Sequence, residues 1–178
     1  MKEATTAEAL AAKYPEQVTV VVTLDAEETA NVVPLCWVTQ VSSEPLRFAV
    51  AIHKRGYSHG LLLERGEFVL AYPHKAQAEA VMFCGTRSGR KVNKETESGL
   101  SFTPASKVAP PLVEGCLTNL ECRLVSHHDV GDHFLFVGEV VVAHVSEGSS
   151  EGLEGIYYQG GALYELCAVE PLGPRFGS

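Results

Sequence analysis

The sequence lacks the cysteine patterns that hold disulfide-rich or zinc-stapled domains together. Its five cysteines are odd in number, widely scattered and free of any C-x-x-C pair. They therefore predict neither a disulfide framework nor a zinc knuckle. We expect a reducing compartment.

Positive charge is also scarce. The 178 residues include 14 Lys and Arg against 22 Asp and Glu, which gives a formal net charge of -8 and an isoelectric point near 5.3. Because nucleic acids are bound through clustered Lys and Arg, this balance argues against a broad DNA- or RNA-binding face. Any phosphate that the protein binds is expected to belong to a small ligand.

Long apolar runs are absent as well. Residues 1–14 carry charged side chains and no apolar core of signal-peptide length, and no stretch approaches the length that crosses a bilayer. We expect a cytoplasmic protein without a membrane partner. The composition, 46% hydrophobic and 20% charged, is ordinary for a globular protein, and the length predicts a single domain over residues 1–178.

The sequence does contain a series of runs rich in β-branched residues, each bounded by turn residues. No long alternation of strands with helices accompanies them, so a barrel fits better than a doubly wound sheet. The predicted fold is mainly β with short helices. The predicted strands are Val18–Leu24, Asn31–Val41, Leu46–Ile52, Glu67–Tyr72, Leu117–Val125, His133–Val145 and Leu163–Val169.

Three short helices are predicted. Residues 5–13 begin with a Thr cap and end before Pro15, which indicates an N-terminal helical flap over residues 1–14. Two further helices, Ser58–Arg65 and His74–Cys84, are each followed by glycine. The last has an apolar stripe that is expected to face the core, made of Ala76, Ala80, Val81 and Cys84.

Two segments have the composition of an anion site. In the first, a strand ends in Lys54 and Arg55 and runs into a helix at Ser58, whose free N–H groups suit an anion. The second belongs to residues 86–111, a long loop excursion of the kind that is usually functional. The alternatives are an ordinary strand-to-helix turn and a solvated basic loop. The residues of the second segment are Arg87, Ser88, Gly89, Arg90, Lys91 and Lys94.

The extended segment 31–42 holds the single Trp of the chain, Trp37. Its polar side chains and backbone could offer hydrogen bonds to a planar heterocycle that lies along the strand. A core strand with Trp37 as packing is the equally weighted alternative.

Residues 127–133 combine three histidines with two aspartates, a composition also found in metal sites. Adjacent residues of a turn rarely converge on one ion, and Asp129 to Asp132 around Gly131 are typical of a turn between two strands. We expect no metal. His133 opens the next strand, where its ring either faces a cleft or lies on the surface.

Several short motifs follow one another along the chain in a recognisable order. In that order they resemble the flavin reductase-like and flavoredoxin family over roughly residues 15–168. Two positions depart from the family pattern, because Cys36 stands where Ser is usual and Glu95 stands where an aromatic residue is common. The matching motifs are Pro15 with Val21-Val22-Thr23; Asn31, Cys36-Trp37, Val41-Ser42 and Pro45; Arg55-x-x-Ser58 with Leu62; Gly66-Glu67-Phe68-Val69; Ser88-Gly89-Arg90 with Lys94; Pro110-Pro111 with Leu120-Glu121-Cys122; Gly131-Asp132-His133 with Val137-Gly138-Glu139-Val140; and Tyr157-Tyr158-Gln159-Gly160-Gly161-x-x-Tyr164.

The resemblance implies a Greek-key-like split β-barrel that works as a homodimer and holds FMN non-covalently at or near the subunit interface. It implies that NADH or NADPH delivers hydride to the flavin, with His133 positioning the nicotinamide. Arg55, Ser58, Ser88 and Lys94 would hold the phosphate, and the 36–42 strand would hydrogen-bond the ring edge. The cofactor-binding residues expected in this way are Asn31, Cys36, Trp37, Val38, Thr39, Gln40, Val41, Ser42, Arg55, Ser58, Ser88, Gly89, Arg90 and Lys94.

The function implied by the resemblance is NAD(P)H:flavin oxidoreductase. An FMN-binding electron carrier reduced by a protein partner is an alternative, because no G-x-G-x-x-G fingerprint separates the two functions. A barrel that has lost flavin and binds another small ligand is a third. A partner monooxygenase, a ferric chelate and another electron-transfer protein all stay open as the final electron acceptor.

Overall fold

A computed structural model of the chain describes residues 1–147, 154–160 and 162–164. Its helices are α1 (Thr6–Ala12), α2 (Tyr57–Arg65), α3 (Ala78–Thr86) and α4 (Lys94–Glu97), with a 3₁₀ turn at Lys75–Gln77. Its strands are β1 (Glu16–Gln17), β2 (Thr19–Leu24), β3 (Ala30–Leu35), β4 (Val38–Ser43), β5 (Leu46–His53), β6 (Glu67–Tyr72), β7 (Phe102–Thr103), β8 (Leu112–Val113), β9 (Thr118–Asp129), β10 (His133–Val145), β11 (Tyr157–Gln159) and β12 (Ala162–Tyr164).

The main sheet has seven antiparallel strands in the order β3-β2-β6-β9-β10-β5-β4. Its two edge strands, β3 and β4, are separated by only Cys36 and Trp37. Three Cα steps span about 11 Å at most, so the sheet has to curl until its edges meet at that end. The result is a barrel. Because β4 pairs with β5 only from Leu46 to Val50, the end of β5 faces β3 across an open seam.

The two faces of the sheet belong to different cores, which explains why β2 is buried along its whole length. Val21 points to the barrel interior, where it packs with Phe68 and Phe136. Val20 and Val22 point outward into a second core, which includes Val81 of α3. Alternation along a strand sends successive side chains to opposite faces, so a sheet covered on both sides produces a continuous apolar run.

Local signals define the helix ends. Thr5 caps α1 in a capping box with Glu8, although no side chain of this helix is buried. Gly66 ends α2 in the left-handed conformation (φ 66°), which glycine adopts without steric cost. The predicted helix from His74 instead begins with a 3₁₀ turn, so Ala76 is exposed while Val81 and Cys84 are buried as expected.

A buried carboxylate, Glu121 of β9, is one of the groups that hold the excursion 86–111 to the barrel, and it has no solvent exposure. Glu121 accepts hydrogen bonds from the N–H and hydroxyl of Ser106 (2.9 and 2.8 Å) and from the N–H of Lys107 (2.6 Å). Its other partners are the N–H of Val108 (3.2 Å) and the Nε2 of His144 (2.7 Å). Burial alone would raise the pKa of this carboxyl, but the hydrogen bonds outweigh it and lower the pKa to about 2.

Three predicted strands differ from the structure. Residues 31–41 form two strands because the chain bends at Cys36 and Trp37, and the 117–125 strand continues to Asp129 because β10 pairs with it throughout. Of the predicted strand 163–169, residues 163 and 164 belong to β12, and residues 165–169 lie outside the described residues. None of the described helices has the length and apolar composition needed to cross a lipid bilayer.

Candidate functional site

A cleft of about 460 Å³ opens at the barrel seam. One wall is β3 from Asn31 to Leu35, and the opposite wall is the end of β5, from Ala51 to His53. The start of α2 and the residues that follow α3 meet at one end, where Arg90 contacts Tyr57. Interruptions of a barrel wall are common places for ligands, because converging backbone and side-chain groups are available there.

The deepest polar group of the cleft is Asn31, whose side chain is only 3% exposed. Its Nδ2 donates to the hydroxyl of Ser58 (2.8 Å) and to that of Thr23 (3.3 Å), which fixes the orientation of the amide. Its Oδ1 has no hydrogen-bond partner. A buried acceptor without a donor costs free energy, so this oxygen is suited to a ligand that brings an N–H or O–H group.

Gly89 allows the loop after α3 to lie directly against Asn31. A Cβ at this position would stand 2.2 Å from Asn31 Oδ1 and 2.9 Å from Cδ1 of Tyr57. Both distances are far shorter than a van der Waals contact. The glycine predicted to let the backbone approach a ligand therefore lies in the wall of the cleft.

The charged side chains among the described residues that line this cleft are cationic or imidazole groups, without a carboxylate. Arg55 and Arg90 lie on its two sides, with Arg90 Nη1 donating to the Arg55 carbonyl (3.5 Å) and its guanidinium 5.0 Å from the Tyr57 ring centroid. The Ser88 hydroxyl accepts from the Arg90 N–H (3.3 Å). In a protein with a net charge of -8, this local excess of positive charge favours an anionic ligand.

Lys94 also lines the cleft, but its ammonium is buried (5% exposed) and donates to the carbonyls of Val32 (2.6 Å) and Cys84 (2.7 Å). Burial lowers its pKa. Two of its three N–H donors thus tie β3 to the end of α3. In this structure Lys94 supports the cleft wall, and one donor is left for a ligand.

His133 closes the other end of the cleft. Its Nδ1 lies 2.7 Å from Oδ1 of Asp132, whose pKa is lowered by that hydrogen bond. Because an ionised carboxylate only accepts, Nδ1 carries the proton and the ring is held in one orientation. The rings of Trp37 and His53 flank it, with centroids 4.8 and 5.0 Å away.

Comparison with known proteins agrees with this geometry. A family model described as "Flavin reductase like domain" matches residues 11–166. The chain belongs to the flavin reductase-like family. This membership confirms the predicted resemblance and the mainly β architecture with short helices.

Two solved structures with this fold and one curated relative are similar to the chain. An FMN-binding protein from Thermus thermophilus with bound p-hydroxybenzaldehyde is 29% identical, with a TM-score of 0.85 over 98% of this chain and 100% of that one. Flavoredoxin of Desulfovibrio vulgaris (Miyazaki F) is 25% identical, with a TM-score of 0.84 over 100% and 99%. A ferric-chelate reductase (NAD(P)H) from Archaeoglobus fulgidus is 30% identical over 61% of this chain and 63% of that one.

The structure of this family member brings only some of the predicted residues together. Seven of them line the cleft, whereas the predicted 36–42 segment does not. Cys36 is half-buried beside the cleft, and Trp37 is 53% exposed at the bend. In β4, Thr39, Gln40 and Val41 are exposed, while Val38 and Ser42 are half-buried. The seven residues are Asn31, Arg55, Ser58, Ser88, Gly89, Arg90 and Lys94.

Among the other residues that line the cleft, His53 and Thr86 are not predicted as binding residues from the sequence, whereas Leu35 lies within the predicted 31–42 segment. His53 is the last residue of β5, immediately before the cationic segment, so its position at a strand end was the available signal. Thr86 carries no such signal, because a helix-terminal threonine is common throughout proteins. Only the curl of the sheet places it in the wall.

Proposed function

We propose that this protein binds FMN non-covalently in the seam cleft and catalyses reduction of the flavin by NADH or NADPH. The observation that carries the proposal is the set of cationic groups around the seam cleft, whose wall also contains Asn31 with its unpaired, buried Oδ1. A ligand with hydroxyl or N–H donors and an anionic end matches both features. FMN has both, in its ribityl chain, ring and phosphate.

The roles of the residues follow from where they lie. Arg55, Ser88 and Arg90 at the rim would hold the phosphate. Ser58, near the start of α2, already accepts from Asn31 Nδ2 and has its own hydroxyl proton to donate. Lys94 would supply its remaining donor from the floor. When bound, the flavin supplies the redox chemistry, as acceptor of a hydride and donor of electrons.

His133 would act as a positioning residue beside the nicotinamide. Asp132 holds its Nδ1 proton, so Nε2 is the nitrogen left to accept a hydrogen bond. Hydride transfer depends mainly on proximity and orientation. We therefore expect His133→Ala to slow flavin reduction by about tenfold while FMN binding is retained. An unchanged reduction rate would contradict this role.

The proposal is tested with the purified protein in one cuvette. Its absorbance spectrum, with and without added FMN, reports flavin binding. Anaerobic addition of NADH or NADPH reports reduction by loss of the visible absorbance band of the oxidised flavin. Rapid bleaching supports the reductase. A protein that takes up no FMN would instead be a barrel that binds another small ligand.

An electron carrier is the second candidate, favoured by the similarity to a flavoredoxin along the whole chain. In that case a reduced protein donor, and not NAD(P)H, would bleach the bound flavin. The same cuvette separates the two functions, because only the source of electrons changes. A partner monooxygenase or another electron-transfer protein would then take the electrons onward.

A homodimer is also proposed, and the support is the surface of β4. This edge strand pairs only with β5 among the described strands, and Val41 on it and Trp37 just before it are 50% and 53% exposed. An unpaired edge with large apolar side chains is suited to burial against a second copy. Light scattering during size-exclusion chromatography should give twice the 19.2 kDa chain mass, and a Trp37→Ala, Val41→Ser variant should shift toward the monomer.

A further inference from the structure

A second cavity of about 310 Å³, which we name the apolar annex, adjoins the seam cleft. The two cavities share Pro34 and Leu35 of β3 and Gly85 and Thr86 at the end of α3. A molecule in the annex would therefore lie beside whatever occupies the cleft. The function proposed above uses only the cleft and leaves the annex without a role.

The remaining walls of the annex are Val18, Cys36, Val81, Met82 and Tyr158. Among the described residues that line it there is no Lys, Arg, His, Asp or Glu. Burial raises the pKa of the Cys36 thiol to about 11, so this group is neutral at pH 7. The seam cleft is rich in positive charge, whereas the annex offers nothing to balance an ionic group.

We propose that the apolar annex binds an uncharged quinone as the electron acceptor. This proposal rests on the proposed function, because the acceptor needs a bound flavin beside it. A quinone is planar, apolar and neutral, and its two carbonyl oxygens need donors. Tyr158, Thr86 and Cys36, which line the annex, carry hydroxyl or thiol donors.

The overall reaction balances without a further reactant. NADH gives up a hydride and becomes NAD⁺, and the quinone takes that hydride equivalent together with one proton from solvent and becomes the hydroquinone. Two electrons and two protons are thus gained by the quinone. Nicotinamide dinucleotides and ferric chelates carry charge, so the annex favours a neutral quinone over them.

The test uses Met82, which lines the annex but not the cleft and is 42% exposed on α3. Met82→Trp would fill the cavity without disturbing a buried core position. Leu63→Trp is the matched control, because Leu63 is 40% exposed on α2 and lines neither cavity. The quinone is duroquinone, whose ring is fully methylated and therefore does not add to the Cys36 thiol.

We expect the holoprotein to reduce duroquinone with NADH, and the KM for duroquinone to rise about tenfold in Met82→Trp, with Leu63→Trp close to wild type. Reduction of ferricyanide, an anionic acceptor, and the Kd for FMN should not change in either variant. An unchanged KM, or no duroquinone reduction by a wild type that binds FMN and is reduced by NADH, would overturn the proposal. A weaker FMN affinity in Met82→Trp would also overturn it, because the annex would then hold part of the flavin.

A binding measurement separates this proposal from the proposed function. In equilibrium dialysis of the flavin-free protein, duroquinone should be retained by wild type and Leu63→Trp and lost in Met82→Trp. Failure to take up FMN, with duroquinone still retained, would contradict the flavin reductase function alone. Absence of retention in the wild type would contradict the annex as a quinone site.

Discussion

Two buried polar side chains of this protein, Glu121 and Asn31, differ in whether the chain satisfies their hydrogen-bond acceptors. Glu121 has no solvent exposure, and both of its oxygens accept hydrogen bonds from within the chain. Asn31 is 3% exposed and its amide donates two hydrogen bonds, but its oxygen has no partner. Complete satisfaction indicates a structural group, and an unused acceptor at a cavity wall indicates a binding group.

The largest expected effect is on stability, from Glu121→Gln. The new NH2 group would replace one of the two accepting oxygens, so it would face either the donors of Ser106 or the N–H groups of Lys107 and Val108 and leave those buried donors unpaired. We expect the free energy of unfolding to fall by roughly 3 kcal/mol, measured by urea denaturation. The control is Glu139→Gln, which breaks a half-exposed pair with Arg47 (2.9 Å) and should cost less than about 1 kcal/mol. If both variants lost the same free energy of unfolding, Glu121 would not have the special structural role inferred from its buried hydrogen bonds.

The pH dependence of stability is a second test of the structural role of Glu121. The pKa of Glu121 is about 2 in the folded protein against 4.5 for the free group. Because the folded pKa is the lower one, the stabilisation is fully present above pH 4.5 and is lost as pH falls toward 2. Denaturation midpoints measured from pH 5 to pH 2 should decline in the wild type. Glu121→Gln should decline less steeply, and a parallel decline would show that other carboxyls account for the effect.

Asn31→Ala should act on binding more than on stability. Loss of the Oδ1 acceptor is expected to weaken FMN binding by about tenfold, with a loss of about 1 kcal/mol in unfolding free energy. Flavin fluorescence titration and urea denaturation measure the two effects. Asn119→Ala is the control, because Asn119 is also buried but both ends of its amide bond to Val113 (2.8 and 3.0 Å). It should lose stability and keep its FMN affinity.

The smallest effect is expected from Gly89→Ala. The added methyl group would meet Asn31 Oδ1 at 2.2 Å, so the loop has to move outward by about 1 Å to restore a van der Waals contact. We expect FMN affinity to fall by about threefold. Gly60→Ala in α2 has no heavy atom within 4 Å of the new Cβ and should stabilise the protein by about 0.5–1 kcal/mol. If both variants bind FMN equally well, close approach at Gly89 is not required.

Much of the fold could be predicted, because its signals are local. The β-branched runs predict β2, β5, β6 and β10, the Thr5 cap predicts α1, and Gly66 predicts the end of α2. Asp129 to Asp132 form the predicted turn, with Gly131 at φ 108°. In each case the deciding residues lie within a few positions of the feature that they define.

The candidate site was predicted in part. Arg55 with Ser58 and Ser88 with Gly89 were each marked by charge, hydroxyl groups or glycine, and both pairs line the cleft. Lys94 was marked by its charge, but nothing nearby in sequence shows that its ammonium is bonded to Val32 and Cys84. Those partners are 62 and 10 residues away.

The sequence by itself determined which segments extend, which coil into helices and which carry groups suited to a phosphate. The tertiary structure alone decided the bend at Cys36 and Trp37, the seam between β3 and β5, and the contrast between the satisfied Glu121 and the unsatisfied Asn31. The physical reason is one of range. Strand and helix propensities act between neighbours in the chain, whereas hydrogen-bond partners of a buried group come from distant segments that meet only after the sheet has curled.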